Sequence, residues 1–134
     1  MSRTALYAFT ALLALAAPAL STPVPQGAAV AKRADHSGQA TYFYVGLGAC
    51  GWNSVDSDWV VALDTNSYNG GEHCGKTITM TATGDDGSTT TGSATVVDEC
   101  PTCGDGSVDL SPSFFQNFKS LDVGTFDMSW SFDS

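Results

Sequence analysis

The chain has 134 residues, with 14 acidic against five basic side chains and a formal net charge of −9. A surface of that sign repels phosphates, which disfavours nucleic acid and anionic membranes as partners. The length admits one domain with a modest core.

The first residues read as targeting sequence. Arg3 supplies a positive n-region, Ala5 to Ala17 an apolar h-region, and Ala17-Pro18-Ala19 a small-residue cleavage pattern. The apolar run is shorter than the ~20 residues of a spanning helix, so residues 1–19 are expected to be a signal peptide. Ser21 to Val30 is rich in Pro, Ala and Gly and has no periodicity; Lys32-Arg33 then stands directly before the patterned sequence. The dibasic pair reads as the processing site of a pro-segment, residues 20–33, in a fungal-type secretory route. The expected mature chain, residues 34–134, keeps Lys76 and Lys119 against all 14 acids, hence a charge of −12. It is expected to be secreted, extracellular and monomeric.

Cys50, Cys74, Cys100 and Cys103 all fall in that mature part. An even number in a short secreted chain implies disulfides, and four cysteines allow three pairings. Zinc is the rival for Cys100-x-x-Cys103, but no second pair of that spacing exists and the compartment is oxidising, so no metal is expected.

Gly38 to Val45 alternates small or polar with aromatic and β-branched residues, a strand, and Gly46-Leu47-Gly48-Ala49-Cys50-Gly51 breaks it into a loop. Asp58 to Leu63 has the short apolar form of a buried strand. Asp64 to Gly71 carries turn chemistry with room for a helical turn. Thr77 to Thr83 alternates Thr with Ile78, Met80 and Ala82; after the Asp-Gly turn chemistry of Gly84 to Ser88, Thr89 to Asp98 returns as its hairpin partner. Ser111-Pro112-Ser113 predicts a short helix with an N-cap hydroxyl and Pro at its first position, docked by Phe114, Phe115 and Phe118. Gly124 to Phe132 alternates Phe126, Met128, Trp130 and Phe132 with polar residues, a terminal strand. Five or six strands with little helix predict an all-β domain, and closure into a small barrel removes its edges.

Two acids stand on either side of a Cys-Pro-x-Cys turn: Asp98 at a strand end and Asp109 before the short helix. Each also has a plainer role. Asp109 is placed to cap the helix, and Asp98 to accept backbone N–H groups near Cys100. Neither His36 nor His73 belongs to a triad motif, and both are expected at the surface. No Gly-x-Gly-x-x-Gly segment both follows a strand and opens a helix, so no flavin or other cofactor is expected.

Gly38-Gln39-Ala40-Thr41-Tyr42-Phe43-Tyr44, Gly48-Ala49-Cys50-Gly51, Cys74-Gly75-Lys76, Val96-Val97-Asp98-Glu99-Cys100-Pro101-Thr102-Cys103 and Val108-Asp109-Leu110-Ser111 occur in that order. Together they resemble the double-psi β-barrel of the rare-lipoprotein-A-like, barwin-like and expansin-like superfamily. The resemblance implies a six-stranded barrel with one or two short helices and a groove into which the aspartate of the Asp-Leu-Ser motif, here Asp109, points. In hydrolytic and lytic relatives the corresponding acid protonates a glycosidic oxygen, and Asp98 matches the acid beside it. In endoglucanase relatives an aspartate on the first strand is the base. Here Thr41-Tyr42-Phe43-Tyr44-Val45 carries none.

By the same resemblance, Cys50 pairs with Cys74 and Cys100 with Cys103; the crossed pairing of Cys50 with Cys103 and Cys74 with Cys100 stays open. Flat aromatic faces suit pyranose rings, and among Tyr42, Tyr44, Trp52, Trp59 and Tyr68 the stacking candidates are Tyr42, Tyr44 and above all Trp52. Trp59, Phe126 and Trp130 are assigned to the core. The leading expectation is a non-enzymatic expansin-like or barwin-like protein that binds cell-wall polysaccharide (cellulose, chitin or peptidoglycan) through Asp98, Asp109 and those aromatics. The alternatives are an inhibitor or effector that binds a secreted papain-type protease, and a lytic transglycosylase-like enzyme using Asp109 with Asp98.

Overall fold

The computed structural model describes residues 35–134; the expected signal peptide and pro-segment lie outside the described residues. Six strands form: β1 (His36–Tyr42), β2 (Val60–Asp64), β3 (Thr77–Thr83), β4 (Thr89–Cys100), β5 (Val108–Leu110) and β6 (Phe126–Phe132). Helix α1 (Thr65–Tyr68) follows β2, α2 (Pro112–Gln116) follows β5, and 3₁₀ turns occupy Asn69–Gly71 and Leu121–Val123.

Apolar alternation explains most of these elements. In β3, Ile78, Met80 and Ala82 are buried while the threonines face outward, and the strand pairs antiparallel with β4 from Thr77↔Thr95 to Thr83↔Thr89. In β6, Phe126, Met128 and Trp130 are buried. The inward faces meet in one core, capped by the fully buried Phe114 and Phe115 of α2. Full burial of an aromatic or large aliphatic side chain contributes roughly 1.5–3 kcal/mol.

The sheet closes in the order β1-β5-β2-β4-β3-β6, which leaves no strand edge unpaired. β1 with β5 and β2 with β4 run parallel; the other pairs are antiparallel. The expected all-β six-stranded barrel with two short helices is the fold observed.

Some expectations shift. β1 begins at His36, because β6 pairs with it from Trp130 onward, and ends at Tyr42. β2 is Val60–Asp64 rather than Asp58 to Leu63. β5 has three residues, too few to show a period, and the sequence reading did not isolate it. Ser111 does not cap α2 with its side chain. Its buried hydroxyl instead donates to the Asp58 carbonyl at 2.6 Å and accepts the Val60 N–H at 3.3 Å, tying the start of β2 to the end of β5.

Candidate functional site

Parity along the strands decides which side chains reach the outer face. In β5, Val108 and Leu110 are buried in the core, so Asp109 between them points outward. In β2, Val61 and Leu63 enter the core and Ala62 faces out. In β4, strict alternation from Ala94 and Val96 would send Asp98 inward. The register slips by one residue between Val61↔Val96 and Ala62↔Asp98, so Val97 is an extra residue, a β-bulge. Such a bulge re-aims the side chain that follows it. Asp98 therefore turns outward.

One row of partners results: Thr41 opposite Asp109, Asp109 opposite Ala62, Ala62 opposite Asp98. Strands lie about 4.8 Å apart, so the backbones bearing the two aspartates are separated by about 10 Å. The alanine between them is 2% exposed. Beside Asp109 lies an open cavity of about 240 Å³, lined by Gln39, Thr41, Ser107 and the Cys100–Cys103 turn; Asp98 lies across Ala62, outside that lining.

The two carboxylates are held differently. Asp98 Oδ1 accepts the N–H of Ala49 and of Glu99, both at 2.8 Å. The acceptor role read from sequence is thus present, and its reach extends to the loop after β1. Asp109 Oδ1 accepts only the Thr41 hydroxyl, at 3.0 Å, and does not cap α2. Burial pushes the Asp109 carboxyl above its ordinary pKa and the Asp98 charge adds to the rise, while the Thr41 hydrogen bond opposes both. A carboxyl so placed keeps its proton at a higher pH than usual and can donate it.

The loop from Gly46 to Asn53 is docked on the bulge. Cys50 N–H donates to the Val97 carbonyl at 3.1 Å, and Leu47 bridges Asn53. Gly48 lies so close that a Cβ there would stand 2.2 Å from the Val97 carbonyl oxygen, which only glycine avoids. Cys50 pairs with Cys74, and Cys100 with Cys103 across the β4–β5 turn; the crossed arrangement is not formed.

The aromatic candidates separate. Trp52 is 48% exposed, with its ring against Gly75 beside the first disulfide, and Tyr44 is 71% exposed with its ring edge-on to Tyr42. Tyr42 does not join the groove: it lies opposite Leu110, and its ring packs edge-on against Phe115 at 5.0 Å. Tyr68 is 8% exposed and belongs to the core. Trp59, assigned to the core from sequence, is 43% exposed, because it precedes β2 and only one side packs, on Phe114. His36 and His73 are half-buried rather than surface residues; His36 stacks on Trp130, and the His73 ring packs tilted against Phe132.

Thr41, Gln39, Ser107 and Ala62 were not singled out from sequence. The polar parity of β1, with Ser37, Gln39 and Thr41 facing out, carried a signal for the first two. Among the described residues no cluster of His, Cys, Asp or Glu is arranged to hold a metal. The outer face therefore offers one carboxyl with a raised pKa, one backbone-tethered carboxylate, and hydroxyl and amide groups: the makings of a surface that hydrogen-bonds polyols.

No family model and no curated protein matches the chain. Solved structures do. The Streptomyces papain inhibitor superposes at a TM-score of 0.60 with 28% identity, covering 72% of this chain and 91% of that one. The apo expansin of Clavibacter michiganensis gives 0.62 with 26% identity, covering 74% of this chain and 50% of that one. The chain is a double-psi β-barrel. A point mutant of the same expansin, solved with cellohexaose, matches equally well in fold at 24% identity, and cerato-platanin 2 of M. perniciosa shares the fold at 15% identity and a TM-score of 0.55. The double-psi barrel described here spans about half the length of the expansins and nearly all of the papain inhibitor.

Proposed function

We propose that the protein is secreted and that the groove over Asp109, Ala62 and Asp98 grips a cell-wall polysaccharide without hydrolysing it. The observation that carries this reading is the outward row Thr41–Asp109–Ala62–Asp98. Asp109 opens onto the cavity beside it, Asp98 stands across Ala62 in the same row, and Trp52 stands on the loop that Asp98 tethers. Sugar hydroxyls are met by the carboxyl groups of Asp109 and Asp98.

Inverting hydrolysis needs an acid and a base roughly 6.5–9.5 Å apart, with the base free to activate water. No Asp or Glu lies on β1, and the hydrogen-bond partner of Asp109 there is a threonine. Asp98 has an oxygen committed to two backbone amides, a positioning role rather than that of a base. Retention on insoluble cellulose, chitin and peptidoglycan tests the reading, with mass spectrometry of the supernatant for cleaved glycan. Retention with no fragments supports it; no retention above an unrelated acidic protein sinks it, and fragments lost in Asp109→Asn make the protein a lytic enzyme instead.

A second reading has its own observation. Tyr44, Leu47, Trp52, Val55 and Trp59, all between β1 and β2, are exposed large hydrophobic residues. Exposed apolar side chains of this kind suit a protein partner where they adjoin, and the matched papain inhibitor is covered over 91% of its length. Inhibition of papain that persists in Asp109→Ala favours this surface over the groove.

A further inference from the structure

Polysaccharide binding gives the Cys100–Cys103 pair no task, and the two disulfides stand in different surroundings. Cys50–Cys74 spans 24 residues, and both of its cysteines pack against the hydrophobic core. Cys100–Cys103 spans three, and both of its cysteines line the open cavity of about 240 Å³ onto which Asp109 faces. Cys100 is 8% exposed and Cys103 is half-buried, so Cys103 is the more accessible of the pair.

A disulfide stabilises a fold largely by restricting the unfolded chain, and the effect shrinks with the loop it closes. The short link therefore contributes less than the long one, and its turn has other ties. The Cys103 N–H donates to the Cys100 carbonyl at 3.1 Å, and the Ser107 N–H to the Gly104 carbonyl at 2.9 Å. The Trp130 indole N–H donates to the Gly106 carbonyl at 2.8 Å, and the Gln39 N–H to the Ser107 hydroxyl at 3.1 Å. With these bonds in place, opening the disulfide leaves both sulfurs in one turn, ready to pair again. No Lys, Arg or His lines the cavity, and its one ionisable wall residue beside the disulfide is Asp109. On the neighbouring elements Asp98, Glu99 and Asp105 are acids too, and the one histidine of β1, His36, lines a different cavity. Such surroundings repel anionic thiols and attract cationic ones. They also disfavour a leaving thiolate unless it gains a proton, and Asp109 is the acid in the cavity that can supply one.

We propose that Cys100–Cys103 is an exchange-active disulfide that takes two electrons from organic thiols carrying an ammonium group, with Asp109 donating the proton to the sulfur released. The incoming thiolate attacks Cys103 Sγ, the bond between the two cysteines breaks, and its electron pair leaves on Cys100 Sγ, which takes the Asp109 proton. A second thiolate then attacks the external sulfur of the mixed disulfide and releases Cys103, which is protonated from solvent, as is Asp109. Two thiols are thereby oxidised to one disulfide, and the protein disulfide is reduced to two thiols. The inference does not rest on polysaccharide binding, because the exchange is read with no glycan present.

The experiment treats the folded protein with cysteamine, 2-mercaptoethanol or 3-mercaptopropionate at low ionic strength and traps free thiols with iodoacetamide. Peptide mass spectrometry counts them at each cysteine, and circular dichroism follows the barrel. Each rate, taken per thiolate, is divided by that of the same thiol with bis(2-hydroxyethyl) disulfide, which removes intrinsic thiol reactivity. Cys100–Cys103 is expected to open roughly tenfold or more faster than Cys50–Cys74, with the barrel signal unchanged, and to close again in air once the thiol is removed. Cysteamine is expected to outpace 3-mercaptopropionate roughly tenfold, a ratio that shrinks at about 1 M salt. With the neutral 2-mercaptoethanol, Asp109→Asn is expected to slow opening roughly tenfold or more; the rate per thiolate should fall with rising pH in the unmodified protein and stay flat in the variant. The proposal is overturned if Cys50–Cys74 opens as fast, if Cys100–Cys103 opens only as the barrel unfolds, if the charge of the thiol makes no difference, or if Asp109→Asn opens at the unmodified rate. The first three outcomes need only the unmodified protein, so they decide the matter should the variant not fold.

Discussion

Asp98 and Asp109 are the same residue type, in the same outward row, with one alanine between them. Asp98 is wired into backbone: two N–H groups converge on one oxygen, and through Ala49 it holds the Gly46 to Asn53 loop against the barrel. Asp109 has one hydroxyl for company and a carboxyl raised by burial and by its neighbour's charge. The first arrangement stabilises the fold, whereas the second leaves a group poised to exchange its proton. Identical chemistry thus acquires two roles from the number of donors each strand position provides.

The comparison breaks most severely where the loop meets the bulge. Gly48→Ala forces a Cβ against the Val97 carbonyl oxygen; it is expected to lift the loop and to cost about 3 kcal/mol or more, read as a lowered midpoint in denaturant titration. Next comes Asp98→Ala, which strands the Ala49 and Glu99 amides. A loss of about 1–3 kcal/mol is expected, while Asp98→Asn, still an acceptor, should recover part of it. Asp109→Ala in the same assay should change stability by less than either. If Asp109→Ala proves the more destabilising of the two alanine variants, the division of roles is wrong.

Binding should sort the pair the other way. Asp109→Asn is expected to weaken retention on polysaccharide roughly tenfold, by replacing the carboxyl with an amide of different hydrogen-bonding geometry. The smallest effect is in the pH dependence of stability. Because the folded pKa of Asp109 is raised, the folded chain binds this proton more tightly than the unfolded chain does. Its contribution to stability therefore falls as pH rises from the unfolded value, about 3.9, through the folded one. Asp109→Asn removes that titration, so the variant should match the unmodified protein below about pH 4 and exceed it in Tm near neutrality. Parallel pH curves for the two proteins would contradict the raised carboxyl.

Much of this molecule is written locally. The β3–β4 hairpin follows from Thr alternating with Ile78, Met80 and Ala82 around an Asp-Gly turn, and the terminal strand from the period of Phe126, Met128 and Trp130. Asp98 and Asp109 stand out because carboxylates at strand ends beside a Cys-Pro-x-Cys turn are unusual company. The three-residue β5 is too short for a pattern, and the burial of Tyr68 depends on what α1 packs against rather than on any neighbour in sequence.

The sequence by itself determined five of the six strands and the apolar faces of β3 and β6, because side-chain parity is a property of consecutive residues. Only the tertiary structure decided where the parity breaks. The extra residue at Val97 turns Asp98 out of the core, and it is tolerated because Cys50, 47 residues earlier, satisfies the bulge's carbonyl while Gly48 lets the backbones close. A bulge is a relation between two strands and whatever covers them, so no single stretch of the chain encodes it. The cavity that Asp109 shares with the Cys100–Cys103 disulfide has the same origin, since its lining is assembled from β1, the end of β4, the β4–β5 turn and β5.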